Sequence, residues 1–192
     1  MRKILNSQIV FLFLLFGGVN LIYSQENKID ILISGGSNTQ LLDFGESNLN
    51  ASSYITSVGI SYNLSNEFYL KTGANFGGLA TFNDFSFNNY QIPLLFGFYL
   101  FSTDVTNFRF FTEFGPHLRG IYDFKDFSED KYQEKESFGV IFNMGMHFDL
   151  NNRSFFRIFL NTNKDFNDSF VSDNDKIRMK NYAIMFGIGL KL

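Results

Sequence analysis

The sequence contains no cysteine and no tryptophan, has only 2 prolines, and carries no run of basic residues. Without cysteine, the chain can form no disulfide, no thiolate metal site and no lipidated N-terminal cysteine. The net charge of −3, with no basic patch, argues against nucleic acid as a partner. No apolar run reaches the ~20 residues that a transmembrane helix needs. At 192 residues the chain is long enough for one domain.

The N-terminal segment has the features of a secretory signal. Arg2 and Lys3 form a positive start, residues 9–16 form a short apolar stretch, and small and polar residues follow. This pattern predicts a signal peptide over residues 1–24, cleaved after Ser24, and a single domain over residues 25–192.

Aromatic residues are abundant, with 27 Phe and 9 Tyr, and no segment beyond residue 25 shows a helical period. Bulky apolar residues instead alternate with small or polar ones, which predicts eight β-strands. We place these strands at residues 27–36, 53–63, 67–77, 89–101, 107–122, 136–149, 154–163 and 178–192.

Away from the ends of the predicted strands, the ionisable residues fall on one face only. The opposite face is uncharged and includes Phe96, Phe142 and Phe186. The charged face also holds most of the strand glycines. Its ionisable members, which form the candidate lumen site, are Asp30, Glu67, Lys71, Arg109, Glu113, His117, Arg119, His147, Asp149, Arg157 and Lys191.

The size of an eight-stranded barrel indicates which face is inside. Its interior is just wide enough to be filled by side chains, so it has no room for this number of rings. We therefore predict that the apolar face points outward into lipid, where a charge at the bilayer midplane would cost about 2–4 kcal/mol. The predicted fold is all-β: an eight-stranded antiparallel up-and-down transmembrane β-barrel.

The connectors and the aromatic residues predict how the barrel is oriented. Connectors at residues 63–66, 102–106 and 149–153 are short, whereas those at 37–52, 78–88, 123–135 and 164–177 are long. Outer-membrane barrels have short periplasmic turns and longer external loops, so both termini are expected in the periplasm. Rings near the strand ends are expected to form interfacial girdles. These are Tyr54, Tyr62, Phe68, Phe76, Phe108, Phe148, Phe156 and Tyr182.

Three short motifs resemble a known family. They are Tyr90-x-Ile92-Pro93-Leu94, Phe111-x-Glu113-Phe114-Gly115-Pro116, and the final segment from Phe186 to Leu192. Together they resemble the outer-membrane β-barrel domain family of Bacteroidota, the group that includes PorT-like proteins. The resemblance implies a small outer-membrane barrel, and some PorT-like members are linked to type IX secretion and gliding. Members often end in an aromatic residue that the barrel-assembly machinery reads, whereas this chain ends in Leu192.

The interior charges invite two interpretations, a structural network or a conducting lumen. Buried charges are tolerated when they are paired and hydrogen-bonded, which favours the network. Register estimates place Arg109 opposite Asp149 and Lys191 near Asp30, so we predict both as ion pairs. His117 and His147 are expected near opposite ends, which argues against a shared metal site. The sequence shows no nucleophile elbow and no serine placed beside a histidine and a carboxylate. We expect no catalytic residue, metal or cofactor.

Two long loops, 123–135 and 164–177, are acidic. They are interpreted as solvated external loops, or as contacts to a partner protein or to lipopolysaccharide through divalent cations. The partners expected are therefore outer-membrane lipid, the barrel-assembly machinery and a possible secretion or surface component.

The sequence favours a monomeric, plugged, non-catalytic barrel with a structural, adhesive or accessory role. Three alternatives stay open: a lipid-modifying enzyme in the same fold, a narrow pore, and a soluble periplasmic barrel that binds an apolar ligand.

Overall fold

The fold is an antiparallel β-barrel. In the computed structural model, residues 28–44, 48–82, 85–102, 107–126, 132–172 and 176–192 are described. The expected signal segment at residues 1–24, the centre of loop 123–135, and Asp173 and Asp175 of loop 164–177 lie outside these residues. No helix in the described parts of the chain is long and apolar enough to cross a membrane.

The strands are β1 (Ile29–Asp43), β2 (Asn48–Asn63), β3 (Phe68–Thr81), β4 (Phe85–Ser102), β5 (Phe108–Asp126), β6 (Gln133–Glu134), β7 (Ser137–Asp149), β8 (Ser154–Asp165), β9 (Phe170–Val171) and β10 (Lys176–Lys191). Eight of them form the barrel wall in the order β1-β2-β3-β4-β5-β7-β8-β10, and β10 pairs with β1 to close it. The short strands β6 and β9 pair with each other, and β9 also pairs with the start of β10. The predicted eight-stranded antiparallel up-and-down barrel is confirmed.

The two ends of the barrel differ, and we name them here. The turn end contains the connector at residues 64–67, the connector at 150–153, and the last residue, Leu192. In the second connector, the Asn151 side-chain oxygen accepts hydrogen bonds from the backbone of Arg153 at 2.8 Å and Ser154 at 2.9 Å. Such local bonds stabilise tight turns. The opposite end, where the strands continue past the predicted boundaries, is the loop end.

The outward face of the barrel wall is the apolar one. Phe142 and Phe186 have 42% and 51% of their surface exposed, and Phe96 is half-buried. Rings pair around the wall near the turn end: Phe108 lies 5.1 Å from Phe148 and Phe148 lies 6.3 Å from Phe156, measured between centroids. On β10 the outward apolar residues run from Leu190 to Tyr182, a height of about 21 Å at 3.4 Å per residue and ~40° tilt.

Several strands are longer at the loop end than predicted. β1 reaches Asp43 rather than residue 36, β2 begins at Asn48 rather than 53, and β10 begins at Lys176 rather than 178. The first four residues of loop 123–135 belong to β5, and Lys164 and Asp165 belong to β8. The long-loop assignments were therefore wrong at their edges.

Two irregularities explain part of this difference. The β3–β4 register shifts between Gly77 and Ala80, and the β4–β5 register shifts between Ser86 and Asn88. Asp123 lies near the second shift and has a φ of 53°, a conformation that Asp tolerates better than most residues. A bulge adds one residue to a strand and reverses which residues face inward. Strict alternation of inward and outward residues therefore breaks at these points, which is where the predicted third and fifth strands end.

An apolar cluster fills the barrel at the loop end. Its buried members are Leu42, Ala51, Ala80, Phe82, Phe87, Phe170, Ile177 and Met179, and Phe44, Leu49, Ile121, Phe124 and Tyr132 pack against it. Leu42 lies directly opposite Met179 in the β1–β10 register. We call this cluster the apolar cap. It lies on the loop-end side of the charged interior residues.

Candidate functional site

The inner wall holds the ionisable residues predicted there, with one exception. Asp30, Lys71, Glu113, His117, Arg119, His147 and Arg157 are buried, and Arg109, Asp149 and Lys191 are half-buried near the turn end. Glu67 is the exception: it lies in the exposed connector before β3 and not in the lumen. The placement of Glu67 was wrong because residues 64–67 form a turn whose side chains face solvent. Apart from Asp30, the ionisable interior residues form three groups along the barrel axis.

Glu113 on β5 is the centre of the middle group. Its carboxylate lies 2.9 Å from Lys71 Nζ and 3.0 Å from Arg157 Nη1. The Tyr69 hydroxyl donates to it at 2.9 Å and the Asn143 amide at 2.7 Å. One buried carboxylate thus receives two cations and two neutral donors from β3, β7 and β8. This arrangement satisfies its oxygens and repays much of the cost of burying its charge.

Arg157 on β8 connects the middle group to the turn end. Its Nη2 donates to the Tyr99 hydroxyl at 2.6 Å, and its Nε donates to His147 Nδ1 at 3.0 Å. Because His147 Nδ1 accepts, we infer that Nε2 carries the proton and donates to Asp149 at 2.8 Å. The guanidinium also lies 4.6 Å from the centre of the Phe111 ring, a cation–π distance.

Asp149 on β7 is the centre of the turn-end group. Arg109 lies 3.1 Å from one carboxylate oxygen and Lys191 lies 2.6 Å from the other. The Arg109–Asp149 ion pair is present, but the predicted register was wrong by two residues. Arg109 pairs across the strands with His147, so it reaches Asp149 diagonally.

The predicted ion pair between Lys191 and Asp30 is not formed. The two residues are direct neighbours in the β1–β10 register. However, the Lys191 ammonium lies on Asp149, while Asp30 accepts a hydrogen bond from the Asn63 amide at 3.2 Å. The long lysine side chain reaches across the lumen, so strand register alone does not identify its partner.

Asp165 on β8 is the centre of the loop-end group. His117 Nε2 lies 2.9 Å from it and Arg119 lies 3.4 Å from it. The hydroxyls of Ser137 and Ser169 donate to its other oxygen at 2.6 and 2.7 Å. Sequence reasoning missed Asp165 because it was assigned to loop 164–177. Its residue number could have identified it, because Asp165 is odd-numbered like the other inward-facing residues of β8.

The space between these groups is filled by rings that lie on glycines. A Cβ atom added at Gly97 would lie 2.3 Å from the Tyr69 ring, and one at Gly189 would lie 2.0 Å from the Phe155 ring. These glycines therefore leave room for rings to lie flat across the lumen. A void beside Lys71 and Asn143 measures about 10 Å³, close to the space one water needs.

Within the described residues, no group of three or more His, Asp or Glu side chains is arranged to hold a metal ion. His117 and His147 contact different carboxylates, Asp165 and Asp149, in different groups. The arrangement can hold the strands in register and obstruct the lumen.

No protein-family model matches this chain, and no curated protein sequence matches it. Among solved structures, the barrel is similar to Neisserial surface protein A, with a TM-score of 0.62 and 11% identity over 84% of this chain and 97% of that one. It is also similar to the N-terminal β-barrel domain of OprF from Pseudomonas aeruginosa, with a TM-score of 0.55 and 11% identity over 88% and 100%. A third similar structure is the outer membrane protein OprG from Pseudomonas aeruginosa, with a TM-score of 0.53 and 12% identity over 88% and 98%. The chain thus has the closed eight-stranded antiparallel barrel fold of these outer-membrane proteins.

Proposed function

We propose that this chain is a small outer-membrane barrel whose lumen is sealed and which performs no catalysis. It acts as a structural, adhesive or accessory component of the cell surface. The turn end and both termini face the periplasm, and the loop end faces outward. The chain works as a monomer, and its partners are outer-membrane lipid, the barrel-assembly machinery and a surface or secretion component that contacts the loops.

The outward apolar band supports the membrane location. It surrounds the barrel, and its outward residues on β10 from Tyr182 to Leu190 carry no charge. Its height is about that of the ~25 Å apolar band of outer-membrane barrels. A soluble barrel would leave this surface in water, and monomeric soluble proteins rarely expose so large an apolar area.

The filled interior is the observation that carries the sealed-lumen proposal. The Glu113 group blocks the middle of the barrel, and the apolar cap closes the loop end. An ion entering from the turn end would have to displace Arg157 from Glu113, Tyr99 and His147 together. The buried positions of both histidines also support a non-catalytic role.

The motif resemblance supports a narrower proposal about family. From the residues at 90–94, 111–116 and 186–192, we propose membership of the outer-membrane barrel family of Bacteroidota that includes PorT-like proteins. Under this proposal the loops contact a type IX-like secretion or gliding component.

Single-channel recording of the refolded protein in a planar bilayer tests the sealed lumen. We expect no stable conductance steps, because paired charges and rings obstruct the axis. Heat-modifiable gel migration of the same preparation establishes that the barrel is folded. Stable steps from folded, inserted protein would contradict the sealed lumen and favour a narrow pore.

A further inference from the structure

The outward face of β10 changes character abruptly along its length. From the turn end, Leu190, Ile188, Phe186, Ile184 and Tyr182 are exposed and apolar or aromatic. The next outward positions on the same strand are Lys180, Arg178 and Lys176. Three successive outward residues toward the loop end are therefore cationic, immediately beyond the apolar band.

The neighbouring strand β8 adds a fourth cation at the same height. Lys164 lies directly opposite Lys180 in the β8–β10 register, and Thr162 lies opposite Tyr182 one outward step below. Two like charges placed directly opposite each other on a sheet are unfavourable unless an anion lies near them.

The acidic groups around these cations neutralise only part of their charge. Asp43 on β1 lies 2.6 Å from Lys180, and Asp168 lies 3.2 Å from Arg178. Within the described residues, Lys164 makes no ion pair and its side chain is exposed. Counting only the described residues, the four cations retain a net positive charge facing outward, and Lys164 is the one without an ion pair.

An apolar groove runs along the outer wall directly below the lysine pair. It has a volume of about 410 Å³ and is lined by Leu160, Thr162, Tyr182 and Ile184, with Ser37 and Thr39 from β1. The lysines lie two residues beyond Thr162 and Tyr182, which is about 5 Å further from the bilayer centre at the usual strand rise and tilt. Cations at this height meet the headgroup layer, where lipid phosphates lie.

We propose that Lys164 and Lys180, with Arg178 above them, bind the phosphate of a phosphorylated outer-leaflet lipid whose acyl chain lies in the groove. This inference rests on the proposed membrane location. A lipid supplies both required features in one molecule, an anion at the lysines and an alkyl chain at Leu160 and Ile184. The phosphate also offsets the repulsion between the paired lysines.

Lipid retention measured by native mass spectrometry tests this site. The protein is placed in phosphatidylcholine nanodiscs that contain bisphosphorylated lipid A, then released in mild detergent. Lys164→Gln removes the unpaired cation and leaves the Lys180–Asp43 pair intact, and Lys164→Gln/Lys180→Gln removes both lysines. Arg153→Gln is the matched control, because Arg153 is an exposed cation at the turn end.

We expect Lys164→Gln to weaken lipid A retention about fivefold, from ~1 kcal/mol per cation near an anionic surface, and the double variant to weaken it further. Lys164→Arg and Arg153→Gln should retain lipid A like the unaltered protein. Dephosphorylated lipid A with the same acyl chains should be retained weakly, and millimolar inorganic phosphate should not displace bound lipid A.

Equal retention by the double variant, or equal retention of dephosphorylated lipid A, would overturn the site. Displacement by inorganic phosphate would instead indicate a general anion site and would also overturn the lipid assignment. Gel migration and protease protection on the same nanodiscs separate this failure from a failure of the proposed location. A barrel that folds and inserts but binds no lipid A contradicts only the site, whereas one that does not insert contradicts both.

Discussion

Buried charged residues in this barrel differ in energetic importance according to the number of partners each one has. Glu113 receives Lys71, Arg157, Tyr69 and Asn143, and its side chain is fully buried. Glu67, a residue of the same type on the connector between β2 and β3, is exposed to solvent. The two glutamates therefore provide a matched comparison between an interior carboxylate and a surface one.

We expect Glu113→Gln to lower the free energy of unfolding by about 3–5 kcal/mol, because two buried cations lose their counter-charge. Glu67→Gln should change it by less than about 0.5 kcal/mol. Urea unfolding of the refolded protein in lipid vesicles, followed by tyrosine fluorescence and gel migration, measures both. Similar values for the two variants would contradict the central role of Glu113.

A second substitution separates charge imbalance from general loss of packing. Lys71→Met removes one cation and keeps an unbranched chain, so in the Glu113→Gln background it should recover part of the lost stability. If the losses in unfolding free energy of the two single variants simply added in the double variant, Lys71 and Glu113 would act independently. That result would contradict an energetic role for the 2.9 Å contact between them.

At the scale of single strands, the face that carries the apolar residues changes along the barrel axis. Within the apolar band the outward residues are apolar, as with Phe186, and the polar and charged residues, such as Arg157, point inward among buried rings. At the loop end the inward residues become apolar and the outward ones polar, as with Met179 and Arg178. The proposed membrane location explains the change, because a strand that leaves lipid for water needs a polar outer face and an apolar core.

This inversion shows what could be predicted from the sequence and what could not. Fold class, strand number and the outward direction of Phe96, Phe142 and Phe186 follow from period and volume alone. The apolar cap was not predicted, because all its buried residues except Met179 fall in segments assigned to the long loops 37–52, 78–88 and 164–177, where bulges also interrupt the alternation. Interior pairing was only partly predictable, because long side chains such as Lys191 contact partners across the lumen rather than register neighbours.

The apolar cap gives a prediction at this scale. Leu42 is fully buried opposite Met179, whereas its neighbour Leu41 faces outward and is half-buried. We expect Leu42→Ala to cost about 2–5 kcal/mol of unfolding free energy and Leu41→Ala to cost clearly less. Urea denaturation of both variants in the same vesicles measures the difference. If Leu41→Ala were as costly as Leu42→Ala, the loop-end strands would not enclose an apolar core.

At the scale of the whole molecule, the described interior side chains form four groups along the closed barrel. The Asp149 group lies near the turn end, the Glu113 group in the middle, the Asp165 group above it and the apolar cap at the loop end. Among the described residues, the surfaces accessible from outside include the apolar outer wall, the exposed connectors and the loop end. The proposed function therefore depends on these outer surfaces rather than on transport through the lumen.

The proposed contact between the apolar outer wall and lipid can be tested directly because the chain contains no tryptophan. A single tryptophan introduced at Phe186 reports the middle of the apolar band. One at Tyr54 reports the loop-end border of this band, and one at Asn50 reports the outward face of β2 beyond that border. With bilayers of lipid brominated along the acyl chain, we expect strong quenching at position 186, intermediate quenching at 54 and little at 50. No quenching at position 186 in folded protein would contradict the account, because that ring would then lie away from lipid.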